Sequence, residues 1–300
     1  MRNDKWKFEK ETSGSIVIRD LDIEKSMSQK ELIIEAGRTE GQYWKDLWEY
    51  RELFYFLAWR DILVRYKQTA IGITWAVLRP FLTMVVFTIV FGKLAKLPSE
   101  GVPYPILVFA AMLPWQFFSS SLSECSNSLI DNTNLISKVY FPRLVIPTSS
   151  VIVSLADFFL AGMILLGMML WYEIWPTWRF IVLLPLTVVA FAAAMGGGLI
   201  ISALNVKYRD FRYVIPFIVQ FGLYISPVGF SSSIVPDKWR LLYSLNPMVG
   251  VIDGYRWAIL GKDISLYLPG FILSLALVVL LFIFGIHFFR KTEKTFADII

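Results

Sequence analysis

The chain has 300 residues, of which 56% are hydrophobic and 18% charged, and its formal net charge is +5. A water-soluble domain carries roughly a quarter charged residues. Here the apolar excess falls in unbroken blocks of about 20 residues, the length that crosses a bilayer, which excludes soluble and fibrous classes. The basic balance does not point to nucleic acid, because the cations lie beside the apolar blocks, where topology and lipid headgroups account for them.

Residues 1–43 are polar and charged, with two short β-like runs, "SIVIRD" and "ELIIEAG", and read as a cytosolic extension. The start "MRNDKWKFEKETSGSIVIRD" has no short apolar core before a cleavage site, so no removable secretory signal is expected. Residues 44–70 read as an amphipathic helix and its link. In "YWKDLWEYRELFYFLAW" (43–59), Lys45, Asp46, Glu49 and Glu52 share one helical face and Trp44, Leu47, Trp48, Phe54 and Tyr55 largely another. An aromatic-rich helix of that kind lies in the headgroup plane.

Six spans are predicted in residues 71–290, at about 71–92, 105–127, 144–172, 180–203, 213–230 and 264–289, and the fifth is broken by Pro216, Gly222, Pro227 and Gly229. Only a helix or a closed barrel satisfies its backbone in lipid, and these runs are too continuously apolar for barrel strands. The predicted fold is an all-α integral membrane protein with six transmembrane helices, preceded by the interface helix. Two short re-entrant helices are expected before the last span. Loops on one side, with Arg60, Lys138, Lys207 and Lys291, carry more Lys and Arg than those with Lys93, Arg179 and Lys238, which places both termini in the cytoplasm. Residues 291–300 are then a cytosolic tail.

Between spans two and three lies a cytoplasmic segment, 128–142, that ends in "LISKVYFPRLVIP" (135–147). Pro142 and Pro147 suit a helix end and a new start. Its residues read equally as a partner contact or as a snorkelling linker. The stretch 231–262 is too polar to span and too apolar for an ordinary loop. Ser233 or Asp237 serves as one cap, Asn246 before Pro247 starts a second short helix, and Gly261 stops it; an exposed hairpin is the other reading.

Charge inside the spans is scarce: Asp157 stands mid-span, Glu124 near the end of span two, and Arg79 before Pro80 near the cytoplasmic end of span one. A carboxylate at membrane depth costs about 2.5–3.5 kcal/mol on insertion scales, so it faces the bundle interior or water. Asp157 suits either an interhelical hydrogen bond or a substrate or proton site. Trp115, Phe117 and Phe118 suit either core packing or stacking on sugar rings. Cys125 reads as a packing residue and His287 as interfacial. The sequence has no G-x-x-x-x-G-K-[ST] loop, no metal cluster and no Cys/His dyad, so no enzyme activity and no cofactor of its own is expected.

Four long stretches carry a family resemblance. They are "LWEYRELFYFLAWRDILVRYKQTAIGITWAVLRPFLTMVVFTIVFG" (47–92), "MLPWQFFSSSLSECSNSLIDNTNLISKVYFPRLVIP" (112–147), "LNVKYRDFRYVIPF" (204–217) and "LYSLNPMVGVIDGYRWAILG" (242–261). Over residues 44–290 the chain resembles the membrane subunit of type-2 ABC transporters that export polysaccharide. The resemblance implies a six-span homodimer in the bacterial inner membrane, bound to two copies of a separate ATP-binding subunit that holds ATP and Mg. Its cargo would be an undecaprenyl-diphosphate-linked polysaccharide of the O-antigen class, with capsule or teichoic acid as alternatives.

By the same resemblance, Lys138, Tyr140, Phe141 and Arg143, with Lys207, Arg209 and Asp210, contact the ATPase. Arg51, Arg60, Arg65 and Lys67 meet the lipid diphosphate, and Trp115, Phe117, Phe118 and Asp157 are candidates to line the channel. Residues 231–262 become outer gate helices carrying Trp239, Asn246, Pro247 and Tyr255. The competing readings are a membrane glycosyltransferase on the same carrier, which needs acidic residues grouped at a membrane face, and an ion-driven carrier, which needs several intramembrane acids; only Asp157 is central.

Overall fold

A computed structural model describes residues 6–10, 16–20, 40–67, 72–139, 141–208, 210–261, 264 and 266–296. The chain divides into two compact units, Met1–Tyr43 and Trp44–Ile300. The first contains a two-stranded antiparallel ladder, β1 (Trp6–Lys10) against β2 (Ile16–Asp20), with Trp6 opposite Asp20. "SIVIRD" therefore forms the expected strand, whereas "ELIIEAG" lies outside the described residues.

The second unit is helical throughout its described residues. Helices α1 (Glu40–Glu49) and α2 (Arg51–Lys67) are nearly continuous, because Tyr50 N donates to Asp46 O and Phe54 N to Tyr50 O across the joint. Leu57 and Ala58 face inward, while Trp48, Tyr55, Phe56 and Trp59 stay exposed on the other side. Helix α3 (Gly72–Phe87) then runs into a wider π-helical turn, Thr88–Leu94, in which Ala95 N reaches back to Val90 O.

The central pillar is α4 (Tyr104–Asp131), which is buried along most of its length. After the short α5 (Thr133–Lys138), helices α6 (Val145–Trp171) and α7 (Leu183–Lys207) pack on its flanks. Helix α7 is entered through a 3-10 turn, Trp178–Val182. Helix α8 (Phe211–Ile225) follows; a short turn, Ser232–Ile234, leads to α9 (Asp237–Tyr243) and α10 (Pro247–Leu260), and α11 (Leu268–Thr292) closes the bundle against α7 and α10. The expected start of α10 is present: Asn246 Oδ1 accepts from Met248 N at 3.0 Å, Pro247 holds the first position, and Gly261, at φ +81°, ends the helix in the left-handed region that glycine favours.

Among the described residues, five helical stretches are long and apolar enough to cross a membrane: Val77–Leu94, Tyr104–Asp131, Val145–Trp171, Trp178–Lys207 and Leu268–Thr295. These coincide with five of the six predicted spans. At the fifth predicted span the structure differs, since α8 stops at Ile225 and has only 15 residues. At 1.5 Å per residue it reaches about 22 Å, short of a hydrocarbon core of about 30 Å. Pro227 and Gly229 fall in the buried loop that follows it.

Small residues set the closest approaches. A Cβ on Gly285 of α11 would lie 2.3 Å from Gly196 O of α7, and one on Gly196 would lie 2.8 Å from the backbone of Leu281. The two helices therefore touch backbone to backbone at Gly196, while a Cβ on Gly197 or Gly198 would meet Leu122 or Cys125 of α4, so the triplet fits α7 closely against both neighbours.

Candidate functional site

On the half of the bundle that meets α2, side chains of α2, α3, α4, α6 and α8 line a half-open cavity of about 490 Å³. Arg65 and Tyr66 of α2 reach it from one side and Asp157 of α6 from the other. Arg65 bridges two helices, with Nη2 2.9 Å from Glu124 Oε1 of α4 and Nη1 3.3 Å from Asp157 Oδ2. The Tyr66 hydroxyl donates to Asp157 Oδ1. Burial first, and then that hydrogen bond, push the Tyr66 hydroxyl above the usual phenol range, so it stays a donor at physiological pH. Asp157 is thus joined to a hydroxyl and a cation of α2, 91 and 92 positions earlier in the chain. A second polar cavity of about 320 Å³ shares Arg65 and Glu124, and Arg60 lies on it, bound to Asp61 at 2.7 Å and to Asn132 Oδ1 at 3.0 Å.

Of the cations expected to meet a diphosphate, Arg60 and Arg65 are therefore engaged by the protein's own acids. Arg51 is exposed, 6.0 Å from the Trp48 ring, and Lys67 is exposed. Of the aromatic candidates, Trp115 and Phe117 are buried; Trp115 packs on Phe118 at 5.5 Å, and Phe117 packs on Phe158 at 5.3 Å and lines the larger cavity.

The segment after α4 separates into exposed and anchored parts. Lys138 and Val139 face outward. Phe141 is buried, and Arg143 donates to Glu293 O at 3.3 Å and sits over the Phe296 ring at 5.9 Å. Phe141 and Arg143 thus pack within the chain, and the solvent-facing cation here is Lys138. Tyr140 and Arg209 lie outside the described residues; Lys207 and Asp210 are exposed.

At the other end of the bundle, α9 and α10 are fastened by groups that the sequence did not single out. Arg256 is fully buried and donates to three main-chain carbonyls: Leu107 at 3.2 Å, Phe230 at 2.8 Å and Val228 at 3.1 Å. Glu100 accepts from the Ser231 and Ser233 hydroxyls, and Tyr104 donates to Gly229 O at 2.6 Å. Burial lifts the Asp253 carboxyl to about 6 despite its hydrogen bond from Ser232 and the charge of Arg256. Among the named gate residues, Trp239 is exposed, Asn246 caps α10 and also donates to Ser226 Oγ at 2.9 Å, and Tyr255 is buried with its hydroxyl 2.5 Å from Thr187 Oγ1.

Among the described residues, no group of three or more His, Cys, Asp or Glu side chains could hold a metal ion. The chain belongs to the ABC-2 type transporter family, whose pattern it matches over residues 52–260. It is a multi-pass membrane protein of that family. It is 31% identical over 216 residues to the O-antigen export system permease protein RfbA of Myxococcus xanthus, covering 71% of this chain and 82% of that one. It is 25% identical over 248 residues to RfbA of Klebsiella pneumoniae, with 80% and 92% covered. It is also 24% identical over 240 residues to the polysialic acid transport protein KpsM of Escherichia coli, with 78% and 91% covered.

Proposed function

We propose that this chain is the permease subunit of an ATP-driven exporter that moves a lipid-linked polysaccharide of the O-antigen class across the bacterial inner membrane. The observation that carries the reading is the family match along most of the membrane unit, with relatives of nearly full coverage named for O-antigen export. In this reading α8 is a sixth, short crossing, both termini are cytoplasmic, and α9 and α10 dip into the outer leaflet as a gate. Two copies assemble, and the sparsely buried α3 and α8, which present Val86, Phe217 and Tyr224 outward, are the faces left for the second copy.

The energy comes from outside the chain, from two copies of an ATPase subunit that binds ATP and Mg. Such a partner does work on the permease only if its ATP-bound form favours a different dimer arrangement from its nucleotide-free form. Lys138 and Tyr140, with Lys207, Arg209 and Asp210, receive that bias; Phe141 and Arg143 anchor the contact to the chain's own C-terminal end. The carrier is an undecaprenyl-type lipid whose diphosphate meets Arg51 and Lys67 near the interface helix. KpsM as a relative supports a second reading, capsule export.

The test is a chromosomal deletion in the parent bacterium. The expected result is loss of surface polysaccharide with its lipid-linked precursor accumulating inside, and recovery of an ATPase with tagged wild-type chain. Unchanged surface glycan in the deletion would overturn the proposal. The identity of the accumulated glycan separates O-antigen from capsule.

A further inference from the structure

The larger cavity has a wall to which the exporter reading assigns no role. On α4, Gln116, Ser119, Ser120 and Ser123 follow at i, i+3, i+4 and i+7, and all four line the cavity. The serine protons are used inside the helix: Ser119 and Ser120 donate to Gln116 O at 3.1 and 2.8 Å, and Ser123 to Ser119 O at 2.9 Å. A hydroxyl that donates backward keeps its lone pairs for an acceptor role. The three serines are thus a row of acceptors, and the Gln116 amide adds a donor beside them.

Across the cavity, Ser154 of α6 is the opposite case. It is fully buried, lines the same cavity, and its Oγ has no hydrogen-bond partner among the described residues. Its neighbours Thr148, Ser149 and Ser150 all donate to their own helix. Buried hydroxyls are ordinarily satisfied; Ser121 and Ser202 also lack a partner among the described residues, but of the three only Ser154 lines the cavity, where an occupant could supply one. Phe117 and Phe158, ring centroids 5.3 Å apart, add an apolar face to the same wall. The wall charges balance, Arg65 and Arg79 against Glu124 and Asp157, which suits a neutral occupant over a diphosphate.

Acceptors in a row, one enclosed hydroxyl and an aromatic face match a sugar ring, whose hydroxyls donate and accept at its edge and whose C–H bonds form an apolar face. We propose that this cavity is a subsite for an uncharged sugar ring of the exported glycan, with the α4 stripe accepting from its hydroxyls and Ser154 bonding a ring or hydroxyl oxygen. At about 490 Å³ its size lies within the usual span of small-ligand sites, about 300–1,000 Å³. The inference rests on the polysaccharide reading above.

Ser154→Val and Ser154→Thr add the same branch to the side chain and differ only in the hydroxyl, which Thr keeps and Val replaces with a methyl; Ser202→Val makes the same change at another fully buried hydroxyl that has no partner among the described residues and does not line the cavity. In the native bacterium, Ser154→Val is expected to lower surface glycan by about five-fold, the factor for one lost hydrogen bond, at unchanged chain level; Ser154→Thr and Ser202→Val stay near wild type. Saturation-transfer NMR on the full chain, purified with its copurifying subunits, uses the host's delipidated polysaccharide as probe; the signal is expected to fall with Ser154→Val only. Wild-type export and signal by Ser154→Val, or equal losses with Ser202→Val, would overturn the subsite. If the deletion strain fails to display glycan while Ser154→Val exports normally, only the subsite falls; if the deletion strain still displays it, the exporter reading falls.

Discussion

Arg256 shows how one side chain can hold a region whose sequence gives little notice of it. Its guanidinium ties α10 to the backbone of α4 and to the loop after α8, through Leu107, Val228 and Phe230. Removing one partner of a buried charge leaves the rest uncompensated, at about 3–5 kcal/mol. Arg256→Ala is therefore expected to unfold at a markedly lower temperature in detergent, as tryptophan fluorescence would show. Asp253 adds a pH dependence of known sign. Its carboxyl is raised from 3.8 to about 6 in the fold, so the folded chain holds a proton that the unfolded chain has released. That contribution is fully present at low pH and is lost as pH rises through this window. Asp253→Asn should remove it, so that the variant's stability relative to wild type improves between pH 4 and 6 and stays level above. In sequence Arg256 reads as one more outward cation, because its partners are main-chain carbonyls from distant segments, and a carbonyl has no letter of its own. Asp157 was legible as an oddity but its partner was not: nothing local connects it with Arg65 and Tyr66.

At the scale of elements, hydropathy located five long helices closely, and the aromatic pattern located the interface helix. It overextended α8, because the apolar run 213–230 continues past the helix end into a buried loop that is apolar for its own packing reasons. What pattern alone could not show is how α2 is held. Its clasp to α4 and α6 is the set Arg65, Glu124 and Asp157, with the side chains about a third exposed. Partly exposed pairs contribute about 1 kcal/mol or less, but here one arginine serves two acids, and its removal leaves like charges facing each other. Arg65→Ala should speed hydrogen exchange over residues 51–67 by roughly five-fold, about 1 kcal/mol, with exchange in α7 and α11 unchanged. Equal protection in both proteins would show that apolar packing of Leu57 and Ala58 alone seats the helix.

For the whole molecule, the question is how force crosses from a partner into the bundle. Lys138 stands exposed at the end of α5, three residues before the buried Phe141. Lys138→Glu should lower the amount of ATPase that copurifies, with the loss deepening as salt is reduced, since an exposed charge is screened over about 10 Å at 0.1 M. The composition and the apolar blocks made the membrane class legible; the residues of 135–147 read equally as contact or linker, and that Arg143 is held by Glu293 and Phe296 is a long-range matter that no local pattern shows. One further constraint follows from the bare contact of Gly196 with Gly285. Two rods fused along such a seam cannot slide or part without opening a void that no side chain is there to fill. In the exporter's stroke, α7 and α11 are therefore expected to move as a single stave, with the doorway on the opposite flank; a disulfide joining the two helices near this seam should leave export unchanged.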